Sequence, residues 1–235
     1  MELAYKLFSH LFPSRCILCH KTVGQGIEIC PDCYKSLPHN ENCCLHCALP
    51  LPEDISNSVI CGRCIKQTPG FDYAHSLFRY EDSVVGLVHQ LKFGEKISHA
   101  RSIGEMLWLK LCQTGETPDC LLPVPLHDAR LRQRGFNQSV EISRVVAKKS
   151  GIPIEYDAVV RHRRTPAQTG LDAKQRKRNI RGAFAVAQTL DQRHVLIIDD
   201  VMTTAATVNE LARILKKNGV MRVGVMTIAR APVKA

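Results

Sequence analysis

The stretch Val195-Leu-Ile-Ile-Asp-Asp-Val-Met-Thr-Thr-Ala-Ala-Thr207 sets out, in order, a strand, an acidic pair, a small-residue loop and a helix start. Val195 to Ile198 is a short, continuous apolar run, the pattern of a strand buried on both faces in a parallel sheet. Asp199 and Asp200 follow directly, then Thr203, Thr204, Ala205, Ala206 and Thr207. Val208, Leu211, Ala212 and Leu215 come next at helical spacing.

That order has a physical use. Small side chains let backbone N–H groups approach an anion, and a helix N-terminus adds a positive dipole end. The hydroxyls of Thr203, Thr204 and Thr207 can donate to the same oxygens. Two carboxylates beside a phosphate would repel it, but an ionised carboxylate accepts hydrogen bonds from sugar hydroxyls. The carboxyl end of a strand is also where open α/β sheets bind ligands. The segment therefore suggests a ribose-phosphate cradle.

The same residues closely resemble the phosphoribosyl-pyrophosphate signature of type I phosphoribosyltransferases. The resemblance implies that Asp199 and Asp200 hold the ribose hydroxyls and that residues 203–207 hold the 5′-phosphate. Many members carry Gly where this chain has Ala205; a loop needing positive φ there would hold alanine under strain.

Composition sets outer bounds. The 235 residues suffice for one ordinary domain and a small one. The formal charge of +10 points to an anionic partner, either nucleic acid or a phosphorylated small molecule. No apolar run is long enough to span a bilayer. The start, Met1 to Pro13, lacks a signal-peptide core and reads as a short amphipathic helix packed on its own domain. The expected location is the cytoplasm, where eleven cysteines mean metal or catalysis before disulfides.

Eight of those cysteines form four C-x-x-C pairs: Cys16/Cys19, Cys30/Cys33, Cys44/Cys47 and Cys61/Cys64. A two-residue spacer lets both thiolates turn onto one ion, so the eight fill two tetrahedral sites. Consecutive pairing and cross-braced pairing both satisfy the spacing. All-cysteine sites are closed to water, which favours structural zinc over catalytic zinc, with an iron–sulfur cluster or redox thiols as the alternatives. Cys43 precedes Cys44 and is the weaker candidate by spacing. His20, His39 and His46 read as surface residues.

Gln67 to Asp72 reads as a linker, and Phe71 to Tyr80 as an early strand or edge hairpin. Val84, Val88 and Leu91 mark a short helix ending near Lys92-Phe-Gly94. Ala100, Ile103, Leu107 and Leu111 mark a second helix from about Ile97 to Cys112. Cys120 to Leu126 is an apolar strand broken by Pro123 and Pro125, which stiffen the turn after it. Arg130, Arg132 and Arg134 follow and, with Lys92, make a candidate diphosphate clamp, because guanidinium forks match phosphate oxygens. A last buried strand is expected at Met221 to Ile228.

Pro123-Val-Pro-Leu, Arg134-Gly-Phe-Asn-Gln138, the cysteine pairs and the acidic signature together resemble the ComF/GntX family over nearly the whole chain. The resemblance implies a type I phosphoribosyltransferase fold, a mostly parallel sheet flanked by helices, behind a small zinc module. It also implies a role in natural transformation, handling incoming single-stranded DNA.

Between Arg161 and Arg181 the chain carries eight basic residues against one acid, Asp172. This stretch resembles the hood of amidophosphoribosyltransferases, which closes over the diphosphate and excludes water. Arg163, Arg164, Arg176, Lys177, Arg178 and Arg181 are its candidate contacts. The same cations could grip a nucleic-acid backbone, a strong but sequence-blind pull. The expected organisation is a double zinc-binding module over residues 1–68 and a phosphoribosyltransferase-like domain over 69–235. Its expected ligands are phosphoribosyl pyrophosphate with Mg2+ and single-stranded DNA. An active transferase and a zinc-dependent scaffold docking on a DNA-uptake helicase or channel component are the rival functions. No residue stands out as an acid or base for an acceptor.

Overall fold

The structure is a computed structural model describing residues 14–24, 26–55, 59–92, 98–163 and 178–232. Its strands are β1 (Tyr73–Arg79), β2 (Cys120–Pro123), β3 (Val159–Arg161), β4 (Phe184–Val186), β5 (His194–Met202) and β6 (Arg222–Arg230). Four of them form one parallel sheet in the order β1-β6-β5-β2; β3 and β4 pair antiparallel beside it. Parallel neighbours need crossovers, and helices supply them. Asp82–Lys92 and His99–Thr114 carry the chain from β1 to β2, and Ala206–Lys217 carries it from β5 to β6.

The continuous apolar run of β5 is explained by cover on both faces. Val195 and Ile197 join Leu122, Val225 and the Val208/Leu211/Leu215 stripe of Ala206–Lys217 in one core. Leu196 and Ile198 join Leu121, Met226 and the apolar faces of the helices Asp82–Lys92, His99–Thr114 and Gln138–Ser150 in the other. Gly104 lets two of those helices approach closely: a Cβ there would lie 2.5 Å from Val145 Cβ. That contact seats Gln138–Ser150, whose first turn reaches the acidic pair.

The cysteine-rich region straddles the sheet. Cys16 and Cys30 pack into the second of these cores, whereas Cys44, Cys47, Cys61 and Cys64 pack into the first. The segment between them runs antiparallel along the outer edge of β1. Arg79 N–H donates to Pro38 O at 2.7 Å and Asn40 N–H to Leu77 O at 3.0 Å. An exposed strand edge is thereby covered.

The strand does not stop at Ile198, as its composition suggests; it continues through Met202. Asp199, Val201 and Met202 remain in register with Thr227, Ala229 and Arg230 of β6. Both carboxylates thus sit on the last rungs of the sheet, not in the loop. The helix expected from Ile97 begins at His99. The three arginines after the proline turn lie on a short helix, Asp128–Arg134, capped by His127 Nδ1, which accepts from Ala129 N–H at 3.1 Å. Residues 1–13, expected as an amphipathic helix, lie outside the described residues. Among the described residues no helix is long and apolar enough to cross a membrane.

Candidate phosphate site and metal centres

Asp199 Oδ1 accepts from Asp200 N–H at 2.9 Å and from Ser139 Oγ at 3.4 Å; Asp200 Oδ1 accepts from Val201 N–H at 2.6 Å. Lys92 Nζ lies 3.3 Å from Asp200 Oδ2. The cation assigned by sequence to a diphosphate therefore pairs here with the acidic pair. Burial, and then the charge of Asp200, push the Asp199 carboxyl up to about 7, against the opposing pull of the Asp200 N–H, Lys92 and Ser139.

Arg130 and Arg134 are partly buried, whereas Arg132, two residues from each, is exposed. On a helix, i and i+4 share a face and i+2 does not, so the three-arginine clamp resolves into two plus one. Burial, then the neighbouring charge of Arg134, lowers the pKa of Arg130. A further cation, Arg161, is buried at the end of β3 with its guanidinium 5.5 Å from the ring centroid of Phe184. Burial and then Arg130 bring it down to about 10, while Asp199 acts in the opposite direction.

The loop after β5 turns at Ala205, whose φ of 60° is left-handed. The sequence concern about alanine is thus realised: the turn needs positive φ. Ala205 is also the N-cap of Ala206–Lys217 and has no side-chain oxygen to offer the first-turn N–H groups. Thr203, Thr204, Ala206 and Thr207 surround it, all partly buried. Beneath them Arg230, 3% exposed, donates through Nη1 to Met202 O at 2.9 Å, to Thr203 O and to Ala231 O at 3.1 Å, and through Nε to Cys47 O at 3.0 Å.

Of the basic middle segment, Arg164, Arg176 and Lys177 lie outside the described residues. Arg163 turns inward on its own segment, donating through Nη2 to Asn179 O at 2.7 Å and Arg181 O at 2.9 Å. Arg178 and Arg181 are exposed. Arg181 lines a cavity of about 710 Å³ between the second cysteine set and Ala206–Lys217, together with Arg63, Lys66, Thr204, Asn209 and Arg213.

The eight cysteines assemble consecutively: Cys16, Cys19, Cys30 and Cys33, then Cys44, Cys47, Cys61 and Cys64, with each set's sulfurs within 4.8 Å of one another. This decides between the two pairings. Sulfur–sulfur distances of 3.7 Å (Cys19–Cys30, Cys47–Cys61) and 4.0 Å (Cys44–Cys64) match the edge of about 3.8 Å that a tetrahedron with Zn–S of about 2.3 Å requires. Cys30 N–H donates to Cys16 Sγ and Cys61 N–H to Cys44 Sγ, equivalent bonds in the two sets. Burial opposes ionisation of Cys16 and Cys44, but backbone N–H groups outweigh it and bring these thiols to about 6 and about 7. Both sets offer the closed, all-thiolate donor set of a structural zinc site. Cys43 belongs to neither.

Three residues at the site were not singled out from sequence: Ser139, Arg161 and Arg230. Asn137, whose Oδ1 caps the helix by accepting from Ser139 N–H at 3.0 Å, was the available signal for the first. An arginine closing each of the strands β3 and β6 was the signal for the others, Arg161 being counted in the sequence only with the basic stretch that it opens.

Family models match the chain twice: a double zinc ribbon domain over residues 7–65 and a phosphoribosyl transferase domain over residues 122–235. The DNA utilization protein YhgH of Escherichia coli K12 is 32% identical over 93% of this chain and 97% of its own length. Competence protein F of Haemophilus influenzae is 31% identical over 94% of this chain and 99% of its own. Among solved structures, the glutamine phosphoribosylpyrophosphate amidotransferase of B. subtilis matches at 18% identity and a TM-score of 0.38, covering 55% of this chain and 25% of that one. A likeness that loose bears on nothing further.

Proposed function

The chain belongs to the ComF/GntX family, a double zinc ribbon joined to a phosphoribosyltransferase domain, and from that membership we propose that it binds phosphoribosyl pyrophosphate, or a related phosphorylated ribose, at the end of β5. The observation that carries this reading is the adjacency of three features. Two carboxylates lie near the end of β5, a left-handed turn follows, and the N-cap of the helix behind it, Ala205, offers no side-chain oxygen, Thr204 Oγ1 reaching Ala206 N–H at 3.4 Å instead. Asp199 and Asp200 would accept from the ribose hydroxyls, and the backbone N–H groups and hydroxyls of residues 203–207 would donate to the 5′-phosphate. Arg130, Arg134 and Arg161 supply positive charge for the diphosphate, and Lys92 does so once its bond to Asp200 opens. Magnesium bound with the ligand would add to that charge through phosphate oxygens and a carboxylate. In this reading residues 1–68 form the metal module and 69–235 the phosphoribosyl-binding unit, and the protein works in the cytoplasm, where its thiols stay reduced.

Single-stranded DNA is the second proposed ligand. The names of the relatives, DNA utilization protein and competence protein, favour it, as does the cationic cavity lined by Arg63, Lys66, Arg181 and Arg213. Contact would be with the backbone and salt-sensitive. A DNA-uptake helicase or channel component is the partner to seek if neither ligand binds.

Calorimetry with phosphoribosyl pyrophosphate and Mg2+ tests the first ligand. Charged hydrogen bonds contribute about 1.5–3 kcal/mol each, so Asp199→Ala with Asp200→Ala should reduce affinity by roughly two orders of magnitude. Unchanged affinity in the folded double variant would falsify the cradle. For DNA, Arg176→Ala, Lys177→Ala and Arg178→Ala together should weaken binding equally across sequences and flatten its salt dependence; a loss confined to one base composition counts against it.

A further inference from the structure

We propose that Arg230 is a positioning residue that ties the second cysteine site to the phosphate loop, so that the metal state of that site, and not of the first, sets the loop. The proposal builds on the phosphoribosyl reading of residues 203–207.

Arg230 ends β6 opposite Met202, the last residue of β5. Its guanidinium is buried, yet among the described residues no carboxylate lies within ion-pair distance of it. A buried charge needs a counter-charge and a full set of hydrogen bonds. Backbone carbonyls supply the bonds: one is that of Ala231, next in the chain, and the others come from two distant regions. Met202 and Thr203 open the phosphate loop, and Cys47 is a ligand of the second cysteine set. Four thiolates around a divalent ion carry a net charge of roughly −2, which supplies the counter-charge. The fork of an arginine can bridge two such acceptor groups at once, which a lysine ammonium cannot do in the same geometry.

Both ends of this bridge are fixed only together. If the second set loses its ion, the Cys47 carbonyl is no longer held at the Nε hydrogen bond. Arg230 then has reason to turn to solvent: the Thr203 carbonyl loses the Arg230 donor, and the Met202 carbonyl keeps the Ala231 N–H, 3.0 Å away, without the guanidinium. The turn at Ala205, two residues on, sits in a conformation that costs an alanine energy and persists only where its flanks hold it. The first set has no such connection. Its contacts lie on the other core, where Cys16 and Cys30 pack and Glu28 N–H donates to Ser102 Oγ at 2.9 Å on the helix His99–Thr114.

The test uses the full chain loaded with zinc. Arg230→Lys keeps the charge and removes the fork; Cys64→Ser and Cys19→Ser disable the second and first sets in turn. Ribose 5-phosphate and pyrophosphate are titrated separately by calorimetry, and amide exchange is followed at residues 203–206, with residues 195–198 as the fold control. Arg230→Lys should weaken ribose 5-phosphate about tenfold, as loss of a charged hydrogen bond does, while pyrophosphate affinity stays within about twofold, because its proposed contacts are Arg130, Arg134 and Arg161. Exchange at 203–206 should rise in Arg230→Lys and in Cys64→Ser, and stay at the wild-type rate in Cys19→Ser. Unchanged loop exchange in Arg230→Lys, or an equal rise in Cys19→Ser, overturns the proposal. If Arg230→Lys loses protection at 195–198 as well, the two cysteine variants decide, read as the rise in exchange at 203–206 in excess of the rise at 195–198. If the wild type binds neither ligand, the phosphoribosyl reading fails alone, and the exchange comparison still tests the tie.

Discussion

The two cysteine sets have the same chemistry and different surroundings. Each is two C-x-x-C pairs, and each has a backbone N–H donated to its first thiol. In the first set Cys19 is exposed and Cys33 half-exposed; in the second all four are buried. Each set shares a core with one face of β5 and β6; the second packs there beside Ala206–Lys217 and touches Arg230, whereas the first packs beside the helices of the opposite face. Identical ligand motifs therefore do not imply identical roles. A closed thiolate site can staple a small lobe to the outside of a fold, or it can be one wall of the fold's own core.

Stability should separate the two sets most strongly. Metal analysis of the wild type should give about two zinc ions per chain by this ligand count. Cys64→Ser removes a buried ligand and leaves its set incomplete inside the main core, so we expect a loss of about 4 kcal/mol or more and a fall in Tm on the order of 10 °C. Cys19→Ser, at an exposed position, should lower stability by about 1–2 kcal/mol. Thermal unfolding followed by circular dichroism, alongside zinc content, measures both. Equal losses would break the contrast.

The acidic pair gives a second, smaller effect that neither metal set should alter. Asp199 has a raised carboxyl pKa in the folded chain, so between about pH 4 and about pH 7 the folded state holds more protons than the unfolded one. Stability from this group is therefore full at low pH and is lost as pH rises to about 7. Asp200 is the second cause of the shift, after burial, so Asp200→Asn should lower the Asp199 pKa and reduce that loss. Each unit removed corresponds to about 1.4 kcal/mol. The stability of Asp200→Asn relative to wild type should increase from pH 5 to pH 8, partly offset at all pH values by the lost Lys92 ion pair. Denaturant titrations at the two pH values check this. A relative stability that falls with pH contradicts the assignment. The same difference should persist when either variant also carries Cys19→Ser.

These contrasts explain what was legible in the sequence. The run Val195 to Ile198 announced a two-sided strand because burial on both faces forbids polar residues, and the C-x-x-C spacing announced the metal sets because two thiolates must reach one ion. The small residues of 203–207 announced the loop for the same kind of local reason. Neither the pairing of the cysteine sets nor the straddling of the sheet could be read, since both depend on contacts between residues far apart in the chain. Lys92 looked like a phosphate ligand because composition gives a cation without its partner; only the fold brings Asp200 within reach. Arg230 was hidden for a related reason. An arginine at the end of an apolar strand resembles a solvated terminus until the carbonyls of Cys47 and Met202 are seen around it.

The smallest expected effect sharpens the contrast most. Ala205 holds a left-handed φ of 60°, which costs an L-residue about 1–2 kcal/mol relative to glycine. Glycine has its own cost, about 0.4–1 kcal/mol from the greater freedom of the unfolded chain. Ala205→Gly in the wild type should therefore raise stability by less than about 1 kcal/mol and leave ribose 5-phosphate affinity within about twofold, because the flanking carbonyls already hold the turn. The outcome should differ where that hold is weakened. In Arg230→Lys, alanine is free to relax out of the left-handed region, whereas glycine can stay there without steric penalty. Adding Ala205→Gly to Arg230→Lys should then recover roughly three- to fivefold of the lost ribose 5-phosphate affinity, the factor that about 0.7–1 kcal/mol of relieved strain gives. Added to Cys19→Ser it should recover nothing, because the first set does not hold the loop. Calorimetry on the wild type, the three single variants and the two double variants reads the coupling directly. Additive behaviour in the Arg230→Lys background would show that the turn is held by its own helix start, and that the second cysteine set stands no nearer to the phosphate loop in energy than the first.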